Sequence, residues 1–144
     1  MGQVKAKIKV ENLVDVLLAE RGELPPEKVR QVEIEALVDT EATLLCLPSG
    51  VIKELGLSPL GASTVSTAAG PAEKRIFRGA QLTILGRTCT VDVLELEDGI
   101  PALVGYFPLE NLDLRPDPQK GTLIPQHGDE IILDLYEMHL RSIL

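Results

Sequence analysis

Two segments near the start of the chain alternate hydrophobic and polar residues with a period of two. The first runs from Val4 to Val10 and places three lysines between its hydrophobic positions. The second runs from Gln31 to Val38 and places glutamine and two glutamates there. A period of two is typical of a strand with one buried face. Both segments are predicted to be strands, and the lysines of the first favour a strand at the exposed edge of a sheet.

Shorter patterns follow through the rest of the chain. In chain order, they predict a buried strand (43–47), a short helix that Gly56 ends, hairpins over 63–77 and 81–96, a strand that runs into a helical turn (102–114) and a third hairpin (115–125). The tail from residue 129 begins as a strand. Its hydrophobic end would be difficult for a monomer to cover.

The composition favours many short elements in one domain. Ten prolines and twelve glycines are spread along the 144 residues, which suits turns better than long helices. The chain is 44% hydrophobic but only 3% aromatic, so its core must be built from leucine, valine, isoleucine and alanine. We therefore expect an all-β fold, mainly β with one or two short helices, as a single domain over residues 1–144.

The charge and the hydrophobic runs exclude several classes of partner. The net charge is −8 and no basic block stands out, so nucleic acid phosphates would be repelled. The hydrophobic runs fall far short of the ~20 residues that a membrane span needs, and no signal-peptide core is present. Cys46 and Cys89 match no metal or redox motif and are interpreted as small buried thiols. These features together predict a cytoplasmic protein.

Two carboxylates interrupt the hydrophobic pattern where the second strand ends. In "EALVDTEATLLCLPSG", residues 35–50, Asp39 and Glu41 lie between stretches that should be buried. Either the strand end simply turns into solvent, or Asp39 lies where a carboxylate is used. "ALVG" (102–105) echoes "ALVD" (36–39), since each hydrophobic run leads through a pivotal residue towards a short helix that ends in leucine. The echo indicates two related halves folded around a pseudo-twofold axis.

These segments resemble the retropepsin-like aspartic peptidases, in particular their small, single-domain bacterial members. "ALVDTEATLLCLP" is similar to the family's pattern of two hydrophobic residues, Asp, Thr or Ser, Gly and Ala. "PALVGYFPLENLDL" is similar to its second strand, which leads through glycine into a helix. The resemblance covers about residues 4–125. It implies an acid-protease barrel with one half-site per chain, closed by homodimerisation, with the tail (126–144) as a possible dimer interface.

The resemblance implies that Asp39 is the catalytic residue of an enzyme that cleaves peptide bonds without a cofactor. Such chemistry needs two carboxylates that share one proton. This chain has one Asp-Thr pair, and its second pivot is Gly105, which in the family lets the strand pass close to the aspartate. Asp39 of two chains must then form the dyad, and the partners are a second copy and a peptide or protein substrate.

The resemblance also gives roles to neighbouring residues. Thr40 matches the position whose hydroxyl pins the two active-site loops across the dimer axis, and Ala42 matches the family's small residue. The family's flap, a hairpin that closes over bound peptide, corresponds in position to a tip of small residues: Thr67, Ala68, Ala69, Gly70 and Pro71.

Glu41 departs from the family, which has glycine at this position. A glutamate adds bulk and negative charge to the floor of the cleft, and three interpretations stay open. In the first, the fold is kept while peptidase activity is lost or weakened. In the second, Glu41 turns aside and a modified activity persists. In the third, Asp39 and Glu41 of two chains hold a divalent cation.

Other candidate sites have less support. His127 and His139 are too isolated for a zinc motif and are interpreted as surface or packing residues, so no metal site is predicted from them. The acidic residues Glu95, Glu97 and Asp98 are expected to be merely solvated. The competing class of function is a non-catalytic module that binds an extended segment as an added β-strand in the same cleft.

Overall fold

The computed structural model describes residues 3–134. The described elements, in chain order, are β1 (Lys5–Asn12), α1 (Leu13–Glu20), a single 3-10 turn (Pro26–Lys28), β2 (Gln31–Val38), β3 (Leu45–Pro48), α2 (Ser49–Leu55), β4 (Ser58–Thr67), β5 (Gly70–Ile84), β6 (Arg87–Leu96), β7 (Leu103–Val104), α3 (Tyr106–Leu112), β8 (Leu114–Asp117) and β9 (Thr122–Pro125). The fold is therefore mostly strand with short helices, as the sequence predicted.

Six strands close into a barrel. Their order is β1-β2-β7-β3-β6-β5, and β5 returns to pair with β1. Strand β4 is attached to β5 outside this ring, and β8 and β9 form a separate hairpin. Because the ring is closed, its strands have neighbours on both sides, and the free edge of the sheet belongs to β4.

The first strand is not an edge strand, and this corrects the prediction. Strand β1 pairs with β2 from Lys5 to Glu11, and from Lys9 onward it also pairs with β5. Its alternation is real, since Ile8 and Val10 are buried while Lys5 and Lys7 are exposed. The lysines therefore mark the outer surface of a closed barrel, which alternation alone cannot distinguish from an edge.

The core has the composition that the sequence predicted. It is almost entirely aliphatic, and Phe77 is the only aromatic residue in it among the described residues. Its fully or nearly fully buried aliphatic members include Ile8, Val10, Leu45, Leu47, Ile52, Leu55, Leu82, Ile84, Val93, Val104 and Leu112.

Helix α1 was not predicted, because it follows β1 without a loop and is only eight residues long. Its N-cap is Asn12, the last residue of β1, whose side-chain oxygen accepts a hydrogen bond from the Asp15 amide at 3.0 Å. The Asn12 amide group also donates to the Leu55 carbonyl at 2.9 Å. Helix α2 ends at Gly56, which is left-handed (φ 64°), as predicted.

The predicted hairpins are present, with a shifted tip in the first. Strands β4 and β5 turn at Ala68 and Ala69, whereas Gly70 and Pro71 already pair with Thr67 and Ser66 in the ladder. The predicted tip around Gly70 and Pro71 was therefore placed about two residues too late.

The predicted strand at the start of the tail is absent from residues 131–134. The Ile132 amide donates to the Asp113 carboxylate at 2.9 Å instead of joining a ladder. Residues 135–144, including His139, lie outside the described part of the chain. No helix among the described residues has the length and hydrophobic content that crossing a bilayer requires.

Candidate active site

The two pivotal residues, Asp39 and Gly105, directly follow two neighbouring strands. Strands β2 and β7 are parallel neighbours, with Leu37 opposite Leu103 and Val38 opposite Val104. Asp39 and Gly105 are the next residues of these two strands, so they lie at the same end of the barrel. The echo between "ALVD" and "ALVG" is therefore a direct pairing of strands in space.

Asp39 is held by backbone groups. Its amide donates to the Val104 carbonyl at 3.0 Å. Its carboxylate oxygen Oδ1 accepts the Glu41 amide at 3.0 Å, and its carbonyl accepts the Ala42 amide at 3.1 Å. Asp39 is half-buried, and Oδ2 has no hydrogen-bond partner among the described residues. The tight turn thus fixes one carboxylate oxygen and leaves the other without a hydrogen bond from the described residues.

Gly105 lies where no side chain fits. Its amide donates to the Leu44 carbonyl at 3.1 Å. A Cβ at this position would come within 2.5 Å of the Ala42 and Leu44 carbonyl oxygens. Because the φ of Gly105 is −92°, which any residue can adopt, glycine is needed for space and not for backbone freedom. Strand β7 therefore passes close against the loop that carries Asp39.

The residues after Gly105 continue this contact. The Tyr106 amide donates to the Ala42 carbonyl at 2.7 Å, and the Phe107 amide donates to the Thr43 carbonyl at 3.0 Å. Sequence reasoning named Gly105 but missed the carbonyls of Val104, Ala42 and Thr43, since backbone partners leave no mark on residue identity.

Glu41 makes the backbone contact despite its side chain. Its amide is the donor to Asp39 Oδ1, and its φ is not positive, since Leu85 and Asp113 are the only non-glycine residues with positive φ in the described chain. The Glu41 side chain is exposed and has no hydrogen-bond or ion-pair partner among the described residues. Thr40 is exposed as well. Within one chain, Glu41 therefore leaves the turn around Asp39 intact.

The flap-like tip, residues 67–71, makes no hydrogen bond to the loop that carries Asp39 within the described chain. The Ala69 amide donates to the Thr67 hydroxyl at 3.2 Å, which closes the turn. No hydrogen bond or ion pair in the described chain joins residues 67–71 to residues 39–42. The structure thus shows the tip as an exposed, self-contained turn.

The acidic residues at the end of β6 and in the following turn are not all simply solvated, which corrects the prediction for Glu95 and Asp98. Glu95 makes two bonds of 2.7 Å to the Arg75 guanidinium. Asp98 accepts the Gly50 amide at 2.8 Å near the start of α2. Neither partner could be predicted, because both lie distant in sequence.

The two cysteines differ in burial. Cys46 is buried, as predicted, and burial together with the nearby Asp39 charge raises the pKa of its thiol to about 11. Cys89 is only half-buried, so the prediction of a buried thiol holds for it in part; burial still raises its pKa to about 11. Both thiols stay protonated at neutral pH.

His127 packs against a carboxylate. Its Nδ1 lies 2.7 Å from Asp113 Oδ2. This contact agrees with the interpretation of His127 as a packing residue. Within the described part of a single chain, no group of three or more His, Cys, Asp or Glu side chains could hold a metal ion.

Comparison with known proteins identifies the family. The family model described as "Aspartyl protease" matches residues 26–106, which is more than half of the chain and includes both Asp39 and Gly105. Among solved structures, the EIAV protease complexed with the inhibitor HBY-793 superposes with a TM-score of 0.58 at 13% identity, over 80% of this chain and 92% of that one. No curated protein matches the chain. The chain belongs to the aspartyl protease family and has the retropepsin-like fold of its retroviral members.

Proposed function

We propose that this protein is an aspartic peptidase that acts as a homodimer, with Asp39 of each chain forming the catalytic pair. The observation that carries this proposal is the pairing of β2 with β7, which sets one carboxylate, Asp39, beside one glycine, Gly105, at the same end of the barrel. Each chain therefore brings half of the required acid groups. A second copy supplies the other half.

The chemistry follows from two carboxylates at short range. Like charges about 3 Å apart cannot both ionise, so one carboxyl keeps its proton. The ionised member takes a proton from a water molecule that attacks the peptide carbon, while the protonated member donates to the carbonyl oxygen. The free Oδ2 of Asp39 and the Oδ1 held by the Glu41 amide suit such a fixed, half-exposed acid.

The geometry at Glu41 supports a retained, modified activity over a lost one. The turn keeps the backbone donor to Asp39 without strained φ, so the substitution does not dismantle the site. Glu41 would instead weaken binding of the substrate, because two exposed glutamates per dimer would narrow the cleft beside the main chain of a bound peptide.

The test of the assignment is cleavage by Asp39→Asn. We expect the wild-type protein to cleave an unstructured protein substrate at mildly acidic pH, and the variant to lose about 10²- to 10⁴-fold in rate. Asp92→Asn is the matched control, since Asp92 is an exposed aspartate on β6 whose side chain makes no ion pair or hydrogen bond among the described residues. Cleavage that survives Asp39→Asn, at an unchanged sedimentation coefficient, contradicts the assignment.

The test at position 41 separates bulk from charge. Glu41→Gly removes both and should raise kcat/KM, whereas Glu41→Gln keeps the bulk and removes only the charge. A gain with glycine but not with glutamine assigns the effect to obstruction of the substrate. A loss of activity with glycine contradicts the obstructing role given to this side chain.

A non-catalytic peptide-binding module is the second candidate. The free edge of β4 favours it, since β4 pairs only with β5 and none of its residues is buried. Such an edge can accept an extended segment as an added strand. Peptide binding that survives Asp39→Asn, with no cleavage by wild type or by Glu41→Gly, would support this candidate over the peptidase.

A further inference from the structure

Strand β5 has two parts with different surroundings. From Ile76 to Ile84 it pairs with β6, inside the barrel. From Gly70 to Arg75 it pairs only with β4. Residues 62–75, here called the projecting arm, therefore extend beyond the barrel as a two-stranded hairpin. None of the residues of the projecting arm is buried.

A two-stranded hairpin without a buried face has little to fix its direction. Packing against a core, which normally sets the orientation of a hairpin, is missing here. A β-bulge follows close behind the arm, where the register with β6 shifts between Phe77 and Ala80 and Gly79 has a φ of 91°. Bulges and glycines are points where a strand bends.

One ion pair lies at the point where the arm leaves the barrel. Ile76 is opposite Leu94 in the ladder, so Arg75 and Glu95 are the next residues on the two strands. There the ladder stops, and β6 continues at Glu95 only with β3, opposite Leu47. The Arg75 guanidinium instead binds the Glu95 carboxylate through two bonds of 2.7 Å, from Nε and from a terminal nitrogen.

Both partners are themselves held in place. The Arg75 guanidinium lies 5.3 Å from the ring centre of Phe77, which is buried in the core. The Glu95 side chain is only 16% exposed. The Arg75 hydrogen bonds hold the pKa of Glu95 below its usual value, with smaller contributions from Ser49 and Lys53 of α2. The pair thus joins the base of the arm to β6 and to α2.

We propose that Arg75 and Glu95 form a positioning pair that sets the direction in which the projecting arm leaves the barrel. The two bonds replace the missing rung of the ladder with a planar, two-pronged contact, which restricts rotation better than a single bond does. This role rests on the proposed function only in so far as the arm covers a bound peptide; the mechanical role at the base of the arm is independent of catalysis.

The mechanical role is tested by ¹⁵N relaxation of the amides in residues 66–72. Arg75→Gln and Glu95→Gln should each lower the order parameters of these amides, while those of residues 80–84 stay unchanged. The double variant should be no more mobile than either single one, because both changes break the same contact. Arg78→Gln is the matched control, since Arg78 is an exposed arginine of β5 whose side chain makes no hydrogen bond or ion pair among the described residues.

A second readout measures the consequence for peptide cleavage. With a peptide that the wild type cleaves, Arg75→Gln should raise KM about threefold to tenfold with little change in kcat, since a loosened arm weakens binding of the peptide but does not touch the reacting atoms. Arg75→Lys keeps the positive charge but cannot make the two parallel bonds of a guanidinium, so its KM should lie between those of the wild type and Arg75→Gln.

The outcomes separate this proposal from the proposed function. Unchanged order parameters in both single variants, or additive effects in the double variant, overturn the positioning pair. A wild-type protein without peptidase activity, whose arm nevertheless loosens in both variants and no further in the double one, contradicts the peptidase and supports the positioning pair. A fall in kcat at constant KM would show that Arg75 acts on the chemistry and would overturn the positioning role.

Discussion

At the scale of single residues, Gly105 should tolerate no substitution. We expect Gly105→Ala to destabilise the fold by about 1–3 kcal/mol or more, because the new methyl group would overlap the carbonyl oxygens of Ala42 and Leu44. The measurement is chemical denaturation of the purified variant.

Gly50→Ala provides the control for that experiment. Gly50 lies in helix α2, where alanine is favourable, and a Cβ there would meet only the movable Asp98 carboxylate at 3.2 Å. Its stability should stay close to that of the wild type. Equal stability of Gly105→Ala and wild type would mean that the loop yields easily and does not hold Asp39 rigidly.

The sequence singled out Asp39 and Gly105, which the structure brings side by side, but it did not show how they are held. Asp39 was marked by a carboxylate that interrupts a hydrophobic pattern, and Gly105 by the echo of that pattern. The effect of Glu41 on the turn was open, because it depends on a backbone φ and on a backbone donor, which any residue type can supply. The sequence therefore points to Asp39 as the candidate acid, and the structure adds that its Oδ1 is held by a backbone amide.

At the scale of elements, Asp113 connects the end of α3 to the following segment. It is left-handed (φ 55°), and its carboxylate accepts the Ile132 amide and contacts His127. The Arg87 guanidinium donates to the Leu112 and Gly128 carbonyls on either side. The described end of the chain is thus fastened to a helix C-terminus by two charged side chains.

Asp113→Asn should weaken this connection in a pH-dependent way. The Ile132 amide and then His127 hold the pKa of Asp113 below its ordinary value of 3.8. A lowered pKa stabilises the fold above 3.8, and that contribution is lost as the pH falls through the folded-state value. Thermal melting should therefore show a lower Tm for the variant at pH 5–7 and convergence with wild type below 3.8.

Asparagine is chosen because it keeps the shape and tolerates the left-handed backbone. Asp129→Asn, at an exposed aspartate with no partner among the described residues, should leave the melting curve unchanged at every pH. A Tm difference for Asp113→Asn that is the same at every pH would show that the carboxylate charge is not its cause.

The elements themselves were predictable to different degrees. Strands β1 and β2 could be predicted from the alternation of hydrophobic and polar residues, and α2 from the glycine that ends it. Helix α1 was not predicted, because its N-cap residue, Asn12, is also the last residue of strand β1. The tail was predicted as a strand from its hydrophobic residues, but a strand needs a neighbour, and the Ile132 amide bonds to the Asp113 side chain instead.

At the scale of the whole molecule, the proposed dyad makes activity depend on protein concentration. Because each chain carries one Asp-Thr pair, specific activity should fall on dilution below the dissociation constant of the dimer. The measurement is the cleavage rate per chain over a dilution series, alongside sedimentation. Two copies joined by a long glycine-serine linker provide the control and should keep their specific activity on dilution.

A dilution series in which the single-copy protein also keeps constant specific activity, while sedimenting as a monomer, would rule out the shared dyad. The linked control guards against loss of protein to surfaces, since both forms would then lose activity together.

The placement of Asp39 and Gly105 after the paired strands β2 and β7 also has a genetic consequence for the proposed dimer. In that dimer, a copy altered only at residue 39 would still associate with a normal copy and occupy it unproductively. An allele of this kind would act as a poison subunit, dominant over the normal allele, instead of behaving as a simple loss.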